Sequence, residues 1–171
     1  GTEGILSSNR AGFGCSNILV KGNVISNCRN SGIKISNGVI QATVVGNHVS
    51  YCNIDISSIG SKGAQDNADI RILDNHCENA LGPSIIYVAR TLRYSVQGNY
   101  LKTANAQDAR GIYLQGSSYG NISSNNITGV NSMNIQLTES AGPFSCSYND
   151  IHNNMIDGGM IGVYEGGLSD Y

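Results

Sequence analysis

VKGNVISNC (residues 20–28) and VVGNHVSYC (44–52) are nearly the same nine residues written twice, 24 positions apart. Weaker copies begin at Ile72 (ILDNHCENA), Val96 (VQGNYLKTA), Ile122 (ISSNNITGV) and Ile151 (IHNNMIDGG). Aligned on their shared asparagine, the copies place Asn23, Asn47, Asn75, Asn99, Asn125 and Asn154 at spacings of 24, 28, 24, 26 and 29. Three residues before each anchor stand Val20, Val44, Ile72, Val96, Ile122 and Ile151, and two after it Ile25, Val49, Cys77, Leu101, Ile127 and Ile156. Five residues after come Cys28, Cys52, Ala80, Ala104, Val130 and Gly159, all small or apolar. Self-similarity at a period of 20–50 residues marks a solenoid.

Each copy carries a second, alternating run: GIKIS (32–36), NIDIS (53–57), IIYVA (85–89), GIYLQ (111–115), NIQLT (134–138) and MIGVY (160–164). A period of two in runs this short indicates strands. A chain that returns to the same place every repeat stacks its strands in parallel about 4.8 Å apart and turns the aliphatic positions into interior columns. No segment shows a helical period, and the leucine-rich-repeat frame is absent. The expected fold is therefore all-β: a single-stranded parallel β-helix over residues 1–171, a single domain of six to seven coils of 24–29 residues. The anchor asparagine suits a turn. It tolerates the left-handed backbone region, and its amide can bond to the next asparagine along the rod.

Composition narrows the function. Only 13% of the 171 residues are charged and the net charge is -2, so neither nucleic acid nor an anionic membrane is an expected partner. No apolar run reaches the ~18–20 residues of a membrane span, and no signal peptide opens the chain. The five cysteines form no CxxC and show no metal-ligand spacing, which fits free thiols used as small hydrophobes. No metal or cofactor is expected. His48 and His76 follow the anchor and His152 precedes it; with no column common to all three, they read as turn or surface residues. The tripeptides beginning at Asn121 and Asn126 match the glycosylation sequon by chance.

The repeated GN-x-[IV] turn, the aliphatic columns and the GI-x-I/L strand resemble the right-handed parallel β-helix proteins of the pectate-lyase-like superfamily, over roughly residues 4–165. The resemblance implies polysaccharide chemistry, because members include lyases, polygalacturonases, alginate epimerases and the tailspikes with which phages bind and cut bacterial surface polysaccharide. The sharper catalytic patterns of such enzymes do not occur here. There is no Asn-Thr-Asp, Asp-Asp, Gly-His-Gly or Arg-Ile-Lys of polygalacturonases, no Asp-Pro-His of alginate epimerases, and no calcium-binding aspartate cluster of pectate lyases.

Site residues must then come from geometry. Alternation in the second run predicts an outward column of Lys34, Asp55, Tyr87, Tyr113, Gln136 and Gly162, followed by Ser36, Ser57, Ala89, Gln115, Thr138 and Tyr164. Tyrosine rings beside amides and hydroxyls suit a sugar chain, so Lys34, Tyr87, Arg90, Tyr113, Gln115, Gln136 and Tyr164 are the expected substrate-binding residues. At the corner that follows, the column reads Asn37, Ser58, Arg90, Gly116, Glu139 and Glu165. Two glutamates on adjacent coils would lie about 5 Å apart, the carboxylate spacing of retaining glycosidases. Glu139, Glu165 and Asp55 are the expected acids and bases, with Arg90 steering an anionic sugar. Asp55 and Lys34 are expected to stack as a surface ion pair.

The longer coils carry extra residues at 57–69 and 139–150, which predicts loops on one face framing a groove. No capping helix precedes the first coil. The open ends are expected to be met by a homotrimer or by other parts of a longer parent chain. The resulting expectation is a carbohydrate-recognising, extracellular or virion protein that binds and cleaves a polysaccharide, as hydrolase or lyase. The alternative is a non-catalytic structural or adhesive rod.

Overall fold

The computed structural model describes residues 2–8, 15–60, 66–103, 109–140 and 145–166. Among them, nineteen short strands build three sheets, every pairing parallel. The first sheet has seven strands: β1 (Ile5–Ser8), β4 (Ser31–Ser36), β7 (Ile54–Ile59), β10 (Ser84–Ala89), β13 (Arg110–Gln115), β16 (Met133–Thr138) and β19 (Ile161–Gly166). The second sheet has six: β2 (Ser16–Lys21), β5 (Ile40–Val45), β8 (Asn67–Leu73), β11 (Thr91–Gln97), β14 (Asn121–Ser123) and β17 (Asp150–His152). The third also has six: β3 (Val24–Ser26), β6 (His48–Ser50), β9 (His76–Glu78), β12 (Tyr100–Lys102), β15 (Asn126–Thr128) and β18 (Met155–Asp157). One strand of each sheet in turn makes a coil, giving a right-handed parallel β-helix. About five turns stack, slightly fewer than six to seven. The reason is that six strands in a sheet make five coil-to-coil steps, and β1 is the lone described strand of its coil.

Both aliphatic columns are continuous in register. Val20, Val44, Ile72, Val96, Ile122 and Ile151 face one another through the second sheet. Ile25, Val49, Cys77, Leu101, Ile127 and Ile156 do so through the third. With Ile33, Ile56, Ile86, Ile112 and Ile135 from the first sheet they form one core. The cysteines are free thiols, and Cys28 and Cys52 are buried on successive coils, the latter against the carbonyl of Ser50. Burial pushes the Cys52 thiol up to about 12, which keeps it inert. Ala104, in the same expected column, lies outside the described residues.

Between the second and third sheets the anchor asparagines form an unbroken ladder. The Nδ2 amide of each donates to the Oδ1 of the next: Asn23 to Asn47, Asn47 to Asn75, Asn75 to Asn99, Asn99 to Asn125 and Asn125 to Asn154, at 2.9–3.0 Å. Each Oδ1 also accepts from the backbone N–H of the preceding anchor. The second Nδ2 hydrogen of Asn47, Asn75, Asn99, Asn125 and Asn154 goes back to the carbonyl of the preceding coil's aliphatic residue, from Val20 to Ile122. The four middle anchors are 1% exposed, so these amides are fully satisfied without water. The anchors are not themselves left-handed. That conformation falls on the residue before each one: Gly22, Gly46, Asp74, Gly98, Ser124 and Asn153, at φ 50–66°. This frees the asparagine backbone to keep its N–H aimed along the ladder.

Substituting Asn75 by alanine strands the Asn47 amide and the Val44 carbonyl in the core. We expect a loss of about 3 kcal/mol, a fall in melting temperature of roughly 6–12 °C. Asn23→Ala, at a half-buried rung, should shift it by less than half as much. Equal melting curves for the two variants would mean that the ladder does not carry this stability.

Candidate functional site

The outward column of the first sheet runs Lys34, Ser57, Tyr87, Tyr113, Gln136 and Tyr164. Lys34, Tyr87, Tyr113 and Gln136 fall where alternation predicted. Asp55 and Gly162 do not, and Tyr164 moves into the column in place of Gly162. In both coils the true register is displaced by two residues, with Ile33 opposite Ile56 and Ile135 opposite Val163. A two-residue slip preserves the alternation of apolar and polar positions, so the pattern alone is silent about it.

The slip carries Asp55 out of the site. Its position lies where β4 and β7 bend inward: a Cβ placed on the neighbouring Gly32 would meet Val49 Cγ1 and Cys52 Sγ. Asp55 is 0% exposed, and neither carboxylate oxygen has a hydrogen-bond partner among the described residues. It is neither on the surface nor opposite Lys34, whose described ion pair is with Glu3 at 3.8 Å. Burial pushes its carboxyl up to about 8, with the nearby Glu78 adding to the shift. The corner column shifts likewise. Ser58 is buried in the interior row between Ile35 and Val88, and Glu165 stands opposite Leu137 instead of beside Glu139. Arg90, Gly116 and Glu139 do follow β10, β13 and β16 at equivalent positions. Glu139 and Glu165 share a cavity of only about 40 Å³ with Leu137, Thr138, Cys146 and Gly166, room for a water and not for a sugar ring.

Tyr87 and Tyr113 stack with ring centroids 5.1 Å apart and planes 15° from parallel. The Arg110 guanidinium covers Tyr113 at 4.6 Å from its centroid and donates to Gln136. The Tyr87 hydroxyl donates to Gln115 at 2.5 Å, and Thr138 bonds the Tyr113 hydroxyl at 3.1 Å. Burial and the neighbouring Tyr113 raise the Tyr87 hydroxyl above its ordinary range. Four side chains, Arg110, Gln115, Gln136 and Thr138, thus hold the two rings in place beside polar groups and a cation. Sequence reasoning missed Arg110: it opens β13, one residue before the repeated motif, at a position that is serine in β4 and β10.

A second surface was not expected. Six residues before each anchor, Asn17, Gln41, Asp69, Arg93, Tyr119 and Tyr148 all adopt left-handed backbone at φ 51–61°. None is glycine; Asn17 and Asp69 tolerate this region, while Gln41, Arg93, Tyr119 and Tyr148 each add about 1–2 kcal/mol of local strain. Their side chains form an outward row, with Arg93 clamping Asp69 at 2.8 and 3.0 Å and Tyr119 stacked on Tyr148 at 5.0 Å. An open cavity of about 530 Å³ lies beside it, lined by residues including Gln41, Thr43, Asp69 and Arg71. The row is chemically mixed, so only its constant offset from the anchor could have revealed it. On the third sheet His48 and His76 share a column and stack at 4.7 Å; His152 lies apart, on the second sheet. Of the two long loops, residues 61–65 and 141–144 lie outside the described residues.

No known family profile matches the chain, and no curated protein matches it significantly in sequence. Solved structures do match. The periplasmic alginate epimerase AlgG superposes with a TM-score of 0.63 at 13% identity, over 90% of this chain and 40% of that one. A single-substitution variant of AlgG gives 0.66 at 15%, over 97% and 42%. At such identities the likeness establishes the shared parallel β-helix fold, and the chain spans about two-fifths of the structures it matches.

Asp55 generates a pH prediction. Unfolded, its carboxyl ionises near 3.8; folded, it keeps its proton to about 8. Between those values the folded state binds the extra proton, so stability falls as pH rises, by up to about 1.4 kcal/mol per unit, and levels off above pH 8. Melting between pH 5 and 8 should therefore decline more steeply in the native protein than in Asp55→Asn. Parallel profiles would show that Asp55 is ionised in the fold.

Proposed function

We propose that this β-helix binds an acidic polysaccharide along the outward face of its first sheet. The observation that carries the reading is the Tyr87–Tyr113 stack braced by Arg110, Gln115, Gln136 and Thr138. The ring pair offers apolar surface to sugar C–H groups, while the amides and hydroxyls answer sugar hydroxyls. Arg110, with Arg90 and Lys34 towards either side, favours carboxylated sugars. Tyr164 extends the platform by one coil beyond Gln136. The alginate epimerase that shares the fold acts on a polysaccharide, which supports the same ligand class. The reading places the chain outside the cell or on a virion, where such polymers are met, as part of a trimer or a longer parent chain. Cleavage is a further part of the reading, with Glu139, at the corner after β16, as the acid or base, and a non-catalytic rod that only displays or adheres as its rival.

Titration with acidic and neutral oligosaccharides tests it. Acidic chains should bind better, and Tyr113→Ala should weaken them by about 2 kcal/mol, roughly thirtyfold. Undiminished binding in Tyr87→Ala/Tyr113→Ala would move the site to another face, and no binding of any sugar class would favour the rod. For cleavage, Glu139→Gln should slow product formation at least about a hundredfold; an unchanged rate removes Glu139 from the chemistry.

A further inference from the structure

The third sheet carries a cluster that the saccharide reading does not use. The coil-to-coil step sets His48 of β6 opposite His76 of β9, and both imidazoles point outward, because each precedes an inward residue of the Val49–Cys77 column. Glu78 follows His76 by two positions, on the same face. Its Oε1 lies 3.2 Å from His48 Nε2 and its Oε2 3.6 Å from His76 Nε2. One carboxylate therefore draws together imidazole nitrogens from two coils, and the three ligand atoms all fall within 4.8 Å of one another. Two donors at 2.0–2.1 Å from a tetrahedral ion stand about 3.4 Å apart, which these separations bracket.

We propose that His48, His76 and Glu78 bind a divalent transition-metal ion of the zinc type. Two imidazoles and one carboxylate are a donor set that zinc takes and that calcium and magnesium, which prefer all-oxygen shells, do not. The side chains are 44%, 46% and 31% exposed, so an ion can enter and water can complete its shell. The rings are held for the purpose: His76 lies between His48 and Tyr100, each at 4.7 Å. Lys102, opposite Glu78 on the next coil, is a further charged group at hand, while the nearby Asp55 is kept protonated by burial. No cysteine is required, since Cys77 points into the core. The site stands whether or not the first sheet binds sugar.

The test is calorimetric titration of the chelator-treated protein, without a polyhistidine tag, with zinc chloride, paired with the visible spectrum of its cobalt form. We expect one ion per chain and cobalt bands of a four-coordinate nitrogen–oxygen site. His76→Ala and Glu78→Gln should each weaken zinc at least about a hundredfold, while His152→Ala leaves it unchanged; circular dichroism confirms that the exposed-residue variants keep the fold. Absence of zinc binding overturns the proposal. So does binding that survives in the His48→Ala/His76→Ala double variant, or thiolate-to-cobalt charge-transfer bands that place the ion on a cysteine.

Discussion

Whatever its length, each coil must come back to within one strand spacing of the coil before it. The asparagine ladder is where that return is enforced. Repeats of 24, 26, 28 and 29 residues all close on the same rung, because an anchor out of place leaves two buried amides and a buried carbonyl without partners. The aliphatic columns three residues before and two after the anchor then follow at fixed offsets. Extra residues enter on either side of the first sheet, between β12 and β13 as well as after β7 and β16, where no ladder has to be kept. The hydrophobic core supplies most of the driving force, but it tolerates sliding that the ladder forbids.

This division leaves the three outward faces free to differ. The first carries stacked tyrosines tied to amides and an arginine, the second a row of left-handed polar residues beside a cavity, the third two stacked imidazoles sharing a carboxylate. None of these side chains is needed to close a coil. Inside, the opposite rule applies: Cys52, Cys77 and Asp55 lie against one another, and each is held in its protonated form by burial. An interior of neutral thiols and a neutral carboxyl avoids any unpaired buried charge.

What was readable in the chain follows from what a position has to do. The anchors and their flanking aliphatics repeat because burial demands the same residue type in every coil, and their register is as the repeats implied. Lys34, Tyr87, Tyr113 and Gln136 were placed correctly because their strands align without ambiguity. Asp55, Ser58 and Glu165 were misplaced because a strand may slip by two residues and still read as alternating. The left-handed row escaped notice because its six residues share a backbone conformation and no chemistry. The histidine pair was visible as two residues following anchors. Glu78 was not, because a carboxylate recurs at its position only as Asp157, three coil-to-coil pairings further along.

The direction of the ladder has its own consequence. Every anchor offers its carbonyl oxygen to the coil before and its amino group to the coil after, so the side-chain dipoles add head to tail along the rod axis. Such a chain polarises cooperatively, and its sense is opposite at the two ends: acceptors face the Asn23 side and donors the Asn154 side. Aspartate, common in turns and nearly the same shape, could receive from one neighbour but would have nothing to give the other. Glutamine could do both but would overreach by a methylene. The exclusive choice of asparagine at six turns is thus a matter of two-sided bonding at one side-chain length, and a single carboxylate in the row would interrupt the current of dipoles for every coil beyond it.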